Sequence, residues 1–355
     1  MITIGVDAHK SLHVAVALDE AGKELNRWRG PNTAQGWRDI LDWAQELDSQ
    51  RQWGIEGAWG YGRRLAQYLV ELGETVYEVN GKWTAMGRKY ARKLGKADQL
   101  DARAVAQVLR EYGTDLPMVR AEDETAVLEL LSAERESVLA EATRLRNQIH
   151  ALLVHTEPEY KQRLRSFKTA ASLASLEEYQ ATGEGTLPEA RAASIRRLAA
   201  RLRLTLEQSQ ELAEQIRGIA GRLCGPLTEL CGVNLLTAGM IAGLLGPGQR
   251  FQSDAQLASY AGVAPLQASS ADRIRHRLNK GGNRRFNAIL YRIALTQAHY
   301  SEEAKTYLKR RISEGKSRKE AIRALKRYIV RAIWKLWKRC EVTCQDNFAA
   351  SPSCT

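Results

Sequence analysis

The first 80 residues of this 355-residue chain alternate between short apolar runs and amphipathic stretches. Apolar side chains alternate over residues 2–6 and recur over residues 12–18, which predicts two β-strands joined by a short turn. Strand-like pieces follow at residues 53–57 and 75–80, and a helical pattern lies between them. Strands that alternate with helices predict an α/β domain of roughly 110 residues, which we place at residues 1–118.

The pattern changes near Glu122 to long, charged helical stretches. The apolar residues that recur every seven positions in the first stretch, or occupy the companion position of that repeat, are Leu131, Val138, Leu145, Leu152, Leu128, Ala142 and Ile149. Arg135 interrupts the repeat, and a second run from Ile195 to Leu223 keeps steps of three and four. Residues 119–223 therefore predict an antiparallel helical pair or coiled coil. A heptad repeat does not determine which helix is the partner, so a helical pair within one subunit and a coiled coil shared between subunits both stay open.

Residues 224–345 form a third, mostly helical region. The sequence AGVAP at 261–265 breaks regular structure, and Gly281-Gly282-Asn283 is typical of a turn. From Arg284 onward the apolar spacing predicts a helix, and residues 346–355 predict a disordered tail. The predicted fold class is α/β plus α: an N-terminal α/β domain, a helical coiled-coil insertion and a mostly helical C-terminal domain.

Positive charge is concentrated in the C-terminal region. Residues 273–339 hold 21 Lys and Arg against four acidic residues, a net charge of +17, whereas the whole chain carries +12 and the remainder therefore −5. Tyrosine and tryptophan side chains are interleaved with these cations, a pattern typical of nucleic-acid binders. An anionic membrane surface is the competing partner, although the segment carries no lipid-anchor pattern.

Other features of the sequence exclude several classes of protein. No apolar run is long enough to predict a membrane span, and the N-terminus enters a strand pattern directly, so we expect no secretory signal. The five cysteines have no paired metal-ligand spacing and predict reduced thiols in the cytosol.

Four carboxylates on separate predicted elements are candidates for a metal site. Asp7 and Glu56 end two predicted strands, and Asp98 and Asp101 lie three residues apart at the start of a predicted helix, where they share one face. Carboxylate oxygens of this kind bind Mg²⁺, and two such ions would stabilise the attacking and leaving oxygens of phosphoryl transfer. Each acid also has a simpler interpretation, because Asp98 suits a helix N-cap and acids are favoured in a first helical turn.

A pair of serines, Ser269 and Ser270, precedes a dense basic run. The surrounding cations are Arg273, Arg275, Arg277, Lys280, Arg284 and Arg285. One interpretation is a nucleophilic serine beside phosphate contacts, and the alternative is ordinary turn material next to a solvated charged face. A second basic run between Glu56 and Asp98 suits a nucleic-acid backbone or, equally, a solvated helix face, and it contains Lys82, Arg88, Lys89, Arg92 and Lys93.

Motifs in both halves of the chain resemble one family. In the N-terminal half they are Gly5-Val6-Asp7-Ala8-His9-Lys10, Ile55-Glu56-Gly57 and Lys96-Ala97-Asp98-Gln99-Leu100-Asp101-Ala102. In the C-terminal half they are Tyr260-Ala261-Gly262-Val263-Ala264-Pro265, Ser269-Ser270 and Lys280-Gly281-Gly282-Asn283-Arg284-Arg285. In this order and approximate spacing they resemble the IS110-family transposases, which carry a RuvC-like DEDD domain ahead of a serine domain.

The resemblance implies a fold and a site. The N-terminal domain would have an RNase H-type fold, with Asp7, Glu56, Asp98 and Asp101 binding Mg²⁺ and acting in catalysis. The serine of the C-terminal domain would be the recombination nucleophile. The family usually has Ser-Gly here, whereas this chain has Ser270-Ala271. The spacing from Pro265 favours Ser270 over Ser269.

The implied function is a DNA transposase and recombinase that cuts and rejoins strands of an insertion sequence. The resemblance implies as partners the element ends and target DNA, a bridge-type guide RNA encoded by the element, and further copies of the chain in a dimer or tetramer, without a membrane. It also implies a bacterial cytoplasmic location, at the nucleoid when DNA is bound. Two alternatives stay open, a RuvC-like metal-dependent nuclease or resolvase and a non-catalytic nucleic-acid-binding regulator.

Overall fold

The computed structural model describes residues 1–81, 83–84, 98–164, 166–248, 250–264, 266–267, 276–277 and 281–349. For residues 266–267, 276–277 and 341–349 it describes the backbone only. These residues form two compact units. The first comprises Met1–Thr125, Pro226–Val233 and Leu245–Thr355, and the second comprises Ala126–Gly225 and Asn234–Leu244.

A five-stranded mixed sheet is the centre of the first unit. Its strands, in chain order, are β1 (Ile2–Ala8), β2 (Leu12–Leu18), β3 (Glu24–Pro31), β4 (Arg51–Glu56) and β5 (Val76–Val79). They are ordered β3-β2-β1-β4-β5 across the sheet. Strand β2 is antiparallel to both of its neighbours, β1 and β3, and β4 is parallel to both β1 and β5. Because β1, β4 and β5 run the same way, their carboxyl ends lie at one edge of the sheet.

Helices cover both faces of this sheet. Helices α1 (Ala34–Leu47) and α2 (Arg63–Glu71) pack on one face with the side chains of Ile4, Val6 and Ile55. Helix α3 (Asp98–Tyr112) packs on the other face, where Val14 and Val16 meet its alanines. Successive strand residues point to opposite faces, so a strand covered on both sides is apolar at nearly every position, as β1 and β2 are.

The second unit is helical. Its elements are α4 (Glu124–Thr156), α5 (Tyr160–Arg163), α6 (Ala170–Glu177), α7 (Thr186–Leu223) and α8 (Leu235–Leu245), the first and last of which extend past its boundary. Helices α4 and α7 are antiparallel, since Glu141 pairs with Arg201 at 3.2 Å while Arg135 Nε, earlier in α4, donates to the Ser209 carbonyl, later in α7, at 3.1 Å.

Burial along α4 is more complete on one of the two predicted apolar lines, although Leu145 of the seven-residue repeat is buried as well. The companion positions Leu128, Ala142 and Ile149 are fully buried, whereas Leu131 and Val138 of the seven-residue repeat are only half-buried. The antiparallel pair follows the predicted pattern, and its classification as a coiled coil stays a prediction.

The rest of the first unit is the C-terminal region. It contains α9 (Asp254–Tyr260), the paired strands β6 (Leu266–Gln267) and β7 (His276–Arg277), and the helices α10 (Arg284–Tyr300), α11 (Glu302–Ser313) and α12 (Arg318–Ala349). Gly315, with φ +86°, ends α11, and the Ser317 hydroxyl and Glu320 carboxylate form a capping box that starts α12.

Several elements were absent from the sequence prediction, and two boundaries differ from it. Strand β3, helix α1 and the short helices α5, α6 and α9 were not predicted, and the break at Gly315 divides the region after Arg284 for which the apolar spacing predicts a helix. Helix α12 includes residues 346–349 of the predicted tail, and residues 350–355 lie outside the described residues. Among the described helices, none is both long and apolar enough to cross a membrane.

Candidate active site

Strand alternation sends two carboxylates to the same face of the sheet. Val6 and Ile55 pack on the face covered by α1 and α2, so their neighbours Asp7 and Glu56 point to the face covered by α3. Asp7 and Glu56 are also direct partners in the parallel register of β1 and β4. The two acids therefore stand side by side at the carboxyl ends of neighbouring strands.

Helix α3 brings the other two acids to this place. A Cβ atom on Gly5 would lie 2.2 Å from the Ala106 backbone nitrogen, so glycine is needed for α3 to approach β1 this closely. Asp98 and Asp101 lie in the first turn of α3, where the helix dipole favours negative charge.

The electrostatics of Asp7 tie the four acids together. Its pKa is raised, first because burial disfavours the charged carboxylate; the charge of His9 opposes this shift, and the charges of Asp101, Glu56 and Asp98 add to it. Each predicted acid is thus within electrostatic range of Asp7. A bound cation would relieve this repulsion.

The four acids differ in exposure and in hydrogen bonding. Asp7 and Asp101 are buried, whereas about half of the Asp98 side chain (48%) reaches solvent. Glu56 is half-buried and accepts a hydrogen bond of 2.9 Å from the Thr84 hydroxyl at its Oε2 atom. Access from solvent is therefore on the Asp98 side of the cluster.

His9 is a site residue that the sequence analysis missed. Its Nε2 atom lies 3.1 Å from Asp7 Oδ2 and 3.7 Å from Asp98 Oδ1. Asp7, His9 and Asp98 each offer one ligand atom, and these atoms lie within 4.8 Å of one another. Donors this close suit a single divalent ion. The signal in the sequence was a histidine two residues beyond Asp7, just past the end of the strand.

The raised pKa of Asp7 predicts a stability effect in metal-free protein. Ionisation of the buried Asp7 carboxyl destabilises the folded state. This destabilisation is absent below the pKa of Asp7 in the unfolded chain, about 3.9, and it grows as pH rises through the raised pKa of the folded state. Asp7→Asn should therefore melt about 2 °C or more above wild type at pH 7 in EDTA. The difference should vanish near pH 3. Asp42→Asn, an exposed acid on α1, is the control, and a lower melting temperature for Asp7→Asn at pH 7 would contradict this account.

Much of the second predicted site lies outside the described residues. This applies to Ser269, Ser270, Arg273, Arg275 and Lys280, and to the second basic run, Lys82, Arg88, Lys89, Arg92 and Lys93. Arg277 lies on β7, where only the backbone is described. Strand β7 pairs with β6, which ends three residues before Ser270. Arg284 and Arg285 open α10.

The two flanks of the serine-bearing segment are packed together. A Cβ atom on Gly282 would lie 2.1 Å from the Gly262 backbone nitrogen, so the turns before and after the serines touch through their backbones. The Asn283 side chain caps α10 by accepting from Phe286 N at 3.0 Å, and the Asn283 N–H donates to the Tyr260 carbonyl at 2.6 Å. The chain therefore enters and leaves the serine-bearing segment at one packed junction.

This junction is hydrogen-bonded to the end of the sheet at which the carboxylates lie. Asn80, directly after β5, donates from Nδ2 to the Gly281 carbonyl at 3.3 Å. Strand β5 neighbours β4, which carries Glu56. The flank of the serine-bearing segment thus lies at the same edge of the sheet as the acids, within one protein chain.

A buried arginine strengthens this junction. Arg250 is 4% exposed and donates to Glu78 Oε2 on β5 at 2.7 Å. Its guanidinium lies 4.7 Å, 5.0 Å and 4.9 Å from the ring centres of Trp59, Phe251 and Tyr260. Burial lowers the pKa of Arg250, but its interactions with Tyr260 and Glu78 more than offset this effect, so the pKa is raised. Arg250 stays charged and couples β5 to the region that precedes the serines.

Breaking this ion pair should destabilise the junction. Glu78→Ala leaves the buried guanidinium without its carboxylate, and losses of about 3 kcal/mol are usual for such a change. The midpoint of urea unfolding, followed by circular dichroism, should fall clearly. Glu229→Ala removes the partner of Arg339 in an exposed pair and should leave the midpoint near the wild-type value. Equal midpoints for Glu78→Ala and wild type would exclude a stabilising role for the pair.

The C-terminal helices present cations stacked on aromatic rings. Arg331 lies over Tyr328, Arg310 lies over Tyr307, and Lys338 lies 4.8 Å from the ring centre of Trp334. Tyr328 and Tyr300 are well exposed. Basic residues beside exposed rings can bind phosphates and stack on bases.

A sheet with clustered acids at its strand ends, joined to a strongly basic helical region, is typical of metal-dependent enzymes that act on nucleic acids. Sequence comparisons agree with this class. The model of the DEDD_Tnp_IS110 transposase family matches residues 4–158, and that of the transposase IS116/IS110/IS902 family matches residues 224–309.

Curated relatives are also proteins of insertion elements. The chain is 25% identical to the uncharacterized 43.6 kDa protein of insertion element IS110 from Streptomyces coelicolor, over 94% of this chain and 93% of the relative. It is 22% identical to the 44.8 kDa protein of IS116 from Streptomyces clavuligerus, over 94% of both chains. It is 23% identical to the transposase for insertion sequence element IS1328 of Yersinia enterocolitica, over 58% of both.

The chain belongs to the IS110 family of insertion-sequence transposases. It is therefore an enzyme that acts on DNA, and its family implies use of a divalent metal.

Proposed function

We propose that this transposase cuts and rejoins DNA strands through a serine–phosphate intermediate, with the carboxylate cluster holding the divalent metal. The observation that carries the proposal is the hydrogen bond from Asn80 to Gly281. It joins the flank of the serine-bearing segment to β5, the strand beside the one that carries Glu56, and so supports a site in which the serine and the acids act together, within one chain or across a subunit interface.

The metal would be held by Asp7, Glu56, Asp98 and Asp101. The strand order β3-β2-β1-β4-β5, with acids at the ends of β1 and β4 and on α3, supports an RNase H-type, RuvC-like arrangement. A bound ion of the Mg²⁺ class would neutralise phosphate charge as phosphoryl transfer proceeds. The buried, mutually repelling carboxylates fit such an ion.

Ser270 would attack the scissile phosphate. Its oxygen forms a bond to phosphorus while the bond to the departing DNA oxygen breaks, and its proton passes to a base. A serine hydroxyl needs a base or a nearby metal ion at neutral pH to lose its proton, and the ion held by the carboxylates would supply this activation. A DNA hydroxyl then attacks the phosphoserine and releases the serine, so the phosphodiester energy is kept for rejoining.

The cations around the serine would stabilise the phosphate during both steps. Arg284 and Arg285 start α10, where the helix N-terminus also favours negative charge. Arg273, Arg275, Arg277 and Lys280 would add to this stabilisation.

A second candidate function is hydrolysis of DNA by the carboxylate cluster alone, as in RuvC-like nucleases. The observation that favours it is that Asp7, His9 and Asp98 offer ligand atoms within 4.8 Å of one another, a group that could hold a metal ion. In that case Ser270 would be only a DNA contact.

The proposed partners are the element ends, target DNA, a bridge-type guide RNA and further copies of this chain in a dimer or tetramer. Exposed apolar side chains on α4 and α7 support contacts between copies, such as a shared coiled coil, and they are Val127, Leu130, Val154, Leu187 and Leu204. The reaction would take place on DNA in the bacterial cytoplasm, at the nucleoid.

Nucleic-acid binding should depend steeply on salt. The +17 segment, residues 273–339, must release counterions from phosphates when it binds. Affinity for DNA and for RNA, measured by fluorescence anisotropy over a salt series, should fall linearly on a log–log plot with a slope of about −5 or steeper. A flat plot would mean that the segment faces solvent or a protein partner.

A reconstituted reaction tests the proposed function. Purified protein is incubated with element-end DNA, target DNA, the element's RNA and Mg²⁺ or Mn²⁺, and products are separated on a denaturing gel. Joined strands are expected for the recombinase. Cut strands without joined products would favour the nuclease.

A further inference from the structure

Two buried atoms of the carboxylate cluster lack hydrogen bonds. Asp7 is 8% exposed, and among the described residues neither its Oδ2 atom nor His9 Nε2 has a hydrogen-bond partner. Buried polar atoms normally have partners, and leaving one unsatisfied costs about 1–3 kcal/mol. Such atoms indicate a place for a ligand.

The two atoms face each other without bonding. They lie 3.1 Å apart, which is a hydrogen-bond distance, yet their angles do not allow a hydrogen bond. A protonated imidazole that paired with Asp7 would direct its N–H at the carboxylate. Without that bond, both atoms remain available to a shared ligand.

The shorter of the two separations at His9 fits the coordination sphere of a small divalent ion. With bonds of about 2.1 Å, adjacent ligands of an octahedron lie about 3.0 Å apart and opposite ligands about 4.2 Å apart. The 3.1 Å between Asp7 Oδ2 and His9 Nε2 matches the shorter value. The 3.7 Å between His9 Nε2 and Asp98 Oδ1 falls between the two values.

The backbone holds His9 in this place. The His9 N–H donates to the Leu12 carbonyl at 3.0 Å and closes the turn between β1 and β2. Asn32 Nδ2 lies 3.4 Å from the His9 carbonyl oxygen and 3.3 Å from that of Lys10, and Trp37 Nε1 donates to Asn32 Oδ1 at 2.9 Å. The turn is therefore positioned from outside the site, which leaves Nε2 free for a ligand.

We propose that His9 Nε2 is a metal ligand together with Asp7 and Asp98, and that this nitrogen makes the site prefer Mn²⁺ to Mg²⁺. Mg²⁺ favours oxygen ligands, whereas imidazole favours first-row transition ions. The inference rests on the proposed metal role of the carboxylates and adds a ligand and an ion preference to it.

Pulsed electron paramagnetic resonance of bound Mn²⁺ tests the ligand without any DNA reaction. Wild type with one equivalent of Mn²⁺ should show the modulation of a directly coordinated ¹⁴N nucleus. His9→Gln should bind Mn²⁺ without that signal. His155→Gln, which changes an exposed histidine on α4, should keep it. Bound Mn²⁺ without ¹⁴N coupling in wild type, or coupling that survives in His9→Gln, would overturn the proposal.

Calorimetric titration tests the preference. His9→Gln should weaken Mn²⁺ binding about tenfold or more, in line with the effect of disturbing a ligand shell. Its Mg²⁺ affinity should change much less, because the glutamine amide offers an oxygen. Equal losses for both ions would contradict the preference. If Asp7→Asn abolishes binding while His9→Gln leaves the Mn²⁺ affinity at the wild-type value, the carboxylate site stands and His9 is excluded; if wild type binds neither ion, the proposed metal function fails as well.

Discussion

Asp7→Asn should lower the rate of strand cleavage in Mg²⁺ or Mn²⁺ by about 10³-fold or more. A bound ion contributes several kcal/mol of transition-state stabilisation, and each 1.4 kcal/mol is about tenfold in rate. Asp7 lies at the centre of the cluster, since it is the partner of Glu56 in the sheet register and is within range of the charges of Asp98 and Asp101. Loss of its charge removes a buried ligand that the half-exposed Asp98 cannot replace.

The same substitution separates catalysis from folding. Asp7→Asn should fold as wild type does by circular dichroism and should be the more thermostable protein without metal, because its pKa is raised in the folded state. Asp101→Asn should lose cleavage to the same degree. Asp42→Asn, outside the cluster on α1, should cleave normally. Full activity in Asp7→Asn or Asp101→Asn would remove that residue from the site.

Ser270→Ala should abolish strand exchange while DNA binding persists. The change removes one oxygen atom, so the basic surface and the packed turns at Gly262 and Gly282 stay intact. Joined products should fall below detection. DNA affinity and its dependence on salt should match those of wild type.

Ser269→Ala is the matched control for that experiment. It removes the neighbouring hydroxyl from the same segment, and it should reduce strand exchange only mildly. Loss of exchange in Ser269→Ala with normal exchange in Ser270→Ala would mean that the nucleophile is the other serine. Normal exchange in both variants would favour the metal-dependent nuclease.

Strands with a strong local pattern could be predicted from the sequence. Strands β1, β2, β4 and β5 are apolar, buried and close to their predicted bounds. Strand β3 was missed because its side chains are mostly exposed at the edge of the sheet, so burial leaves no pattern in its sequence. Tertiary pairing with β2, rather than local propensity, makes it a strand.

The site, like the sheet, could be predicted from the sequence only where local pattern decides it. The positions of Asp7 and Glu56 at strand ends follow from the sequence, but their separation depends on the parallel register of β1 and β4. The proximity of His9 to Asp98 depends on how closely α3 packs over Gly5, which no local pattern records. Arg250 and Glu78 are 172 residues apart in the chain, and their pairing requires the folded first unit.

The most direct test of the central claim is identification of the residue that becomes covalently joined to DNA. Wild-type protein is incubated with labelled element-end DNA, RNA and divalent metal, denatured, digested with nuclease and protease, and analysed by mass spectrometry. The account predicts a nucleotide phosphate attached to the peptide that contains Ser270, and its absence from Ser270→Ala and from Asp7→Asn. Cleaved DNA without any protein-linked nucleotide, or a nucleotide attached outside the segment between β6 and β7, would contradict it.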